Sequence, residues 1–161
     1  MKKPFLLALL AIATATMVAC GGKTDDGEAQ KPEEQATIAN ITYGVSCGED
    51  VPLLFDISVE YFNGTQLITE SVTTSEWEKK VNGVKAPFEC VFNVTYTAKS
   101  EYPAQDTYKM GWGYSVTGVT SEGGILFTGS TESDLTIGAD QIAEYLDKYP
   151  THSQNYSHSV K

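Results

Sequence analysis

The sequence predicts an all-β domain, a two-sheet sandwich of about seven strands followed by one short C-terminal helix. Three observations carry that prediction. Apolar and polar residues alternate along several stretches, as expected of strands with one face in a core and the other in water. Tyrosines and β-branched residues, which fit a pleated half-buried surface, are abundant. Gly and Asn turn signals punctuate these stretches at hairpin spacing.

The first predicted strand is Ile41–Cys47, with Ile41, Tyr43, Val45 and Cys47 facing inward, and Gly48-Glu49-Asp50 reads as a turn. Leu53–Phe62 follows, with Phe55, Ile57, Val59 and Tyr61 on one face and Asp56, Ser58 and Glu60 on the other. Asn63-Gly64 then predicts a type I′ hairpin, whose central positions both need positive φ. The return strand is Gln66–Thr74, its phase left open by the adjacent Leu67 and Ile68. Trp77, Lys79 and Val81 predict a short strand that ends at a second Asn-Gly turn, Asn82-Gly83. The cleanest alternation places Phe88, Cys90, Phe92, Val94, Tyr96 and Ala98 inward, and Tyr102–Asp106 breaks it. Thr107–Val119 turns Tyr108, Met110, Trp112, Tyr114 and Val116 one way. Gly111 and Gly113 on its other face predict a bulge or a close backbone approach. Glu122-Gly123-Gly124 is a turn, after which Ile125–Thr128 pairs back. Ile142, Tyr145, Leu146 and Tyr149 have helical spacing, with Gly138 or Asp140 as the starting cap and Pro150 as the stop. The polar segment 151–161 reads as a frayed tail that carries His152 and His158 into solvent.

The N-terminus reads as an address. Lys2 and Lys3 precede a charge-free run from Phe5 to Val18, the pattern of an export signal. The run is short for a bilayer span, which takes about 20 apolar residues. Met17-Val18-Ala19-Cys20 resembles a bacterial lipobox, with Met17 where Leu is usual. The resemblance implies cleavage before Cys20, a diacylglycerol on its sulfur and an acylated new N-terminus, enough acyl chains for stable anchoring. Residues 1–19 are then a signal peptide and 20–35 a lipidated flexible tether. Residues 36–150 form the domain and 151–161 the tail. Asp25-Asp26, close behind Cys20, resembles the surface-export signals of Bacteroidetes lipoproteins. The expected location is therefore the outer membrane, exposed at the cell surface, with a periplasm-facing anchor as the alternative.

The formal net charge is −10, and losing Lys2 and Lys3 with the leader takes it near −12. The chain has no arginine. Such a surface repels nucleic acid, whose phosphates are neutralised by Lys and Arg, and lacks a basic patch for anionic lipid. No nucleotide-binding glycine loop or EF-hand loop occurs, and no motif asks for a cofactor or metal. The pairs Glu49/Asp50, Glu76/Glu78 and Glu132/Asp134 read as solvated loop charges.

"FDISVEYFNG" followed by "TSEWEKKV" resembles the paired motif of the small mycobacterial MmpS proteins, also carried by small Bacteroidetes lipoproteins. Asp56, Val59, Tyr61 and Gly64 match its first part, and Trp77 and Val81 its second. Asp56 and Val59 are not adjacent, and Ser75-Glu76 stands where Leu-Pro is usual. The resemblance covers about 30 residues; it implies an immunoglobulin-like sandwich without enzyme activity and transfers no functional residue.

Cys47 and Cys90 both fall on inward faces, where an inter-sheet disulfide of a sandwich would sit, and export permits the bond. The alternative is a pair of buried thiols acting as small apolar groups. Trp77, between Glu76 and Glu78, is the candidate ligand-binding aromatic, because exposed rings stack on sugars; the same ring could also fill core. The expected role is a lipid-anchored, non-catalytic envelope binding or interaction module. Its partner would be an envelope protein or a glycan, the latter for an accessory glycan-binding lipoprotein. A fimbrillin-like structural subunit is a further alternative.

Overall fold

A computed structural model describes residues 37–161. Cys20, the signal peptide and the tether lie outside the described residues. Eight strands and two short helices follow in order: β1 Ile38–Cys47, α1 Val51–Leu54, β2 Phe55–Phe62, β3 Leu67–Val72, β4 Glu76–Lys85, β5 Phe88–Ala98, β6 Thr107–Thr120, β7 Ile125–Gly138, α2 Ile142–Lys148 and β8 Thr151–Val160. They form two antiparallel four-stranded sheets, ordered β4-β1-β6-β7 and β3-β2-β5-β8. The fold is thus an all-β sandwich with a short helix near its C-terminus. It shares the layering of immunoglobulin domains and has its own strand order.

The central strands behave as their period-two pattern dictates. Tyr43 and Val45 of β1, Val59 and Tyr61 of β2, Phe92 and Val94 of β5 and Tyr108 and Val116 of β6 are all buried between the sheets. Rings interlock there: Phe92 lies 5.2 Å from Tyr43, and Tyr96 meets Trp112 edge-on at 4.6 Å. At the start of β6 the Tyr108 hydroxyl donates to the Pro103 carbonyl at 2.9 Å, five residues upstream, as in the tyrosine corner of many sandwiches. Buried Asp50 ties the β1–α1 turn to β6 by accepting the Lys109 amide at 2.7 Å.

Two Asn-Gly pairs resolve differently from a type I′ turn. Asn63 keeps negative φ, and its Oδ1 accepts from the Thr65 amide, the Thr65 hydroxyl and the Gln66 amide, so a longer loop with only Gly64 at positive φ joins β2 to β3. At Asn82-Gly83 the chain does not turn. Both residues oppose the single Asn40 in a β-bulge, with the Gly83 amide donating to Asn40 Oδ1, and β4 continues to Lys85. Gly111 and Gly113 are sites of close backbone approach: a Cβ there would sit 2.4 Å from the Ser133 carbonyl oxygen and 2.8 Å from that of Ser46.

Two expectations are overturned. Segment 151–161 is not a tail: Thr151–Val160 is β8, paired with β5 over its whole length, so the domain runs through Val160. Its alternate residues His152, Gln154, Tyr156 and His158 stand beside the inward residues of β5, and the His152 ring lies 5.0 Å from Trp112. The disulfide is also absent: Cys47 and Cys90 are free thiols. Both face inward as expected, but at opposite ends of the core. Cys90 contacts the Tyr43 hydroxyl, whereas Cys47 pairs across the sheet with Trp112, whose ring meets Tyr96. Tyr96 stands six positions along β5 from Cys90, about 20 Å of strand, whereas a disulfide needs Cα atoms within about 7 Å. Burial pushes each thiol up to about 11.

Candidate binding face

A trough of about 570 Å³ lies on the outer face of β4-β1-β6-β7. Strand register builds it. One row across the sheet reads Glu78, Gly44, Ser115, Ser130; the next reads Glu76, Ser46, Gly113, Glu132. Because side chains alternate, these rows project to the outside while Tyr43, Val45 and Val116 fill the core. Gly and Ser make a low floor, and carboxylates rise on both sides. Glu78 is paired with Lys80 at 3.0 Å. Glu76 and Glu132 have no ion pair among the described residues.

This floor offers hydroxyls and carboxylates to a ligand that lies across the strands. Its chemistry suits ammonium or guanidinium groups and hydrogen-bond donors. Among the described residues, no group of three His, Cys, Asp or Glu side chains is arranged to hold a metal.

Trp77 borders the trough but turns its ring inward. It stacks parallel to Phe92 at 6.1 Å and tilts against Tyr61 at 5.8 Å. Around it, the Tyr61 hydroxyl donates to Glu70 Oε1 at 2.6 Å, and Lys79 pairs with the same oxygen at 2.7 Å, with its ammonium 5.4 Å from the Tyr61 ring centroid. This polar cluster links β2 and β3 of one sheet to β4 of the other. Trp77 is therefore half-buried packing, and the motif residues Tyr61 and Trp77 meet at the sandwich edge.

A second groove, of about 420 Å³, lies between α2 and the end of β7, lined by Leu135, Gln141, Glu144, Tyr145, Lys148 and Tyr149. Tyr145 and Tyr149 sit 5.0 Å apart, and Tyr149 is 45% exposed. The helical stripe predicted both to face the core, yet only Ile142 and Leu146 are buried. Pro150 is the signal that identifies Tyr149 as the C-cap, beyond the packed turn. His152 and Cys47 lie near Tyr96, apart from both grooves.

Compared with protein-family models, curated proteins and solved structures, the chain has no significant match.

Proposed function

We propose that the protein is an envelope binding module, anchored in the outer membrane through lipid on Cys20, that holds a protein partner in the trough of the β4-β1-β6-β7 sheet. The observation that carries this reading is the trough itself: small Gly and Ser floor positions between the Glu76/Glu78 and Glu132 walls. A partner bringing Lys or Arg side chains on an extended segment fits those walls. The role is non-catalytic, in line with the resemblance of the β2–β4 stretch to MmpS proteins. The lipobox at Met17–Cys20 supports the anchor, and Asp25-Asp26 supports display at the cell surface over a periplasm-facing position.

The test is photo-crosslinking in the native membrane, with the reactive side chain at Ser46 or Ser130 in the trough, or at Thr95 on the outer face of the opposite sheet. A defined envelope protein crosslinked from 46 and 130 and not from 95 is expected. No product, or equal products from all three, would overturn the reading. For the anchor, Cys20→Ser should leave unprocessed precursor without lipid; normal processing of that variant would contradict it.

A glycan ligand is the second reading, and it rests on Tyr145 and Tyr149, the adjacent rings beside Glu144 and Gln141. A glycan array probed with the full chain and with Tyr149→Ala decides it: a sugar signal lost in the variant supports it, and no signal from either protein removes it.

A further inference from the structure

Four strand edges bound the sandwich: β4, β7, β3 and β8. Natural sheets protect such edges with charge, bulges, Pro or brevity, because an open edge is a template for another strand. Three of the four follow that rule. β4 carries Glu76, Glu78, Lys79 and Lys80 and the Asn82-Gly83 bulge. β7 carries Glu132 and Asp134 and a register irregularity opposite Gly118/Val119. β3 has only six residues and points the charged Glu70 inward.

β8 has none of these devices. Thr151–Val160 contains no charged residue and no Pro, and its ten positions pair with β5 without a register shift. Among the described residues no strand pairs with its other edge.

We propose that this edge is the seam of a homodimer, in which β8 pairs antiparallel with β8 of a second copy and the two β3-β2-β5-β8 sheets become one. The sequence of β8 is self-complementary about Asn155. In that register Asn155 faces Asn155 of the copy, Ser153 faces Ser157 and Thr151 faces Ser159 on the outer face. On the other face His152 meets His158 and Gln154 meets Tyr156. Amide and hydroxyl pairs of this kind stabilise a ladder without steric conflict, and the two-fold arrangement closes on itself. Charge points to the same occupant. Two chains of net charge −10 repel each other. A ten-residue uncharged strand is where they meet without placing carboxylates opposite one another.

The test uses the full chain in its membrane. Asn155→Cys places a thiol directly opposite its copy, at the Cα separation of about 4.5–5.5 Å that an antiparallel pair sets and a disulfide accepts. Mild oxidation should give a reducible band at twice the chain mass, absent from the parent chain and from Ser71→Cys on the β3 edge. In detergent, the double variant Ser153→Lys/Ser157→Lys sets ammonium groups opposite each other at both pairs and should weaken self-association at least tenfold by sedimentation, with circular dichroism confirming that it folds. Absence of the doubled band, an equal band from Ser71→Cys, or an Asn155→Cys product with a different protein overturns the proposal. If the lysine variant does not fold, the cysteine result decides alone.

Discussion

Two tyrosines on facing strands make a sharp test of how the core is held. Tyr43 and Tyr96 are both fully buried. The Tyr43 hydroxyl donates to the Phe62 carbonyl at 2.9 Å and touches Cys90 Sγ at 3.4 Å. The Tyr96 hydroxyl has no hydrogen-bond partner among the described residues, although burial raises the pKa of both groups. Removing a buried hydroxyl that is bonded costs about 1–2 kcal/mol, whereas removing one that is unpaired relieves a desolvation penalty of about 1–3 kcal/mol. Tyr43→Phe should therefore destabilise and Tyr96→Phe should stabilise, the latter by about 1 kcal/mol after some loss of packing. With a urea m-value of about 1.5 kcal/mol/M, the midpoint should fall by about 1 M for Tyr43→Phe and rise by about 0.7 M for Tyr96→Phe. Equilibrium urea unfolding followed by tryptophan fluorescence reads both, since Trp112 lies in the core and Trp77 packs against it. A Tyr96→Phe midpoint lowered by 0.5 M or more, on the order of 1 kcal/mol, would refute the reasoning and reveal a partner for that hydroxyl.

Three further expectations concern strand β8, acid stability and the thiols. Deleting residues 151–161 removes ten cross-strand positions from β5; at about 1 kcal/mol per backbone hydrogen bond the loss rivals the whole stability of a domain. The truncated chain should show no cooperative thermal transition, and a folded product melting within about 5 °C of the parent would contradict β8. Glu70 is held below its ordinary value of 4.5 by the Lys79 hydrogen bond and then by Tyr61. Its depressed pKa means a stabilisation fully present above pH 4.5 and lost as pH falls through the folded value. Glu70→Gln should flatten that part of the stability–pH curve, and an unchanged acid limb would count against the cluster. Cys47 and Cys90 should each bind one equivalent of alkylating reagent after unfolding without reductant. In the native protein at pH 8 both should react far more slowly than glutathione, since burial holds each thiol near 11; a Cys47–Cys90 linked peptide would reverse the assignment.

The sequence was most legible where a strand is central. β1, β2, β5 and β6 each have a neighbour on both sides, so their inward positions are sealed and must be apolar, and alternation exposes them. At the edges the inward positions are only half covered and tolerate polar groups. The second half of β7 places Thr131 and Ser133 beside the inward Tyr114 and Trp112, and β8 uses His152 and Gln154, so neither showed an apolar pattern. The disulfide expectation failed for a related reason. Alternation reports the face of a side chain and says nothing of its height along the strand, and the two thiols differ in height. The trough was written in pieces. The outward positions Gly44/Ser46 and Gly113/Ser115 were visible as small residues two apart, but only the register of four strands sets them between Glu76, Glu78 and Glu132.

That trough is where the functional reading can be decided. Ser46→Trp with Ser130→Trp fills it from two outward, exposed positions without touching the core. With the crosslinker placed at Ser115 on the same floor, the filled variant should keep its urea midpoint and its membrane anchoring and lose at least tenfold in partner crosslinking. Unchanged crosslinking in the folded, filled variant would show that the partner binds elsewhere.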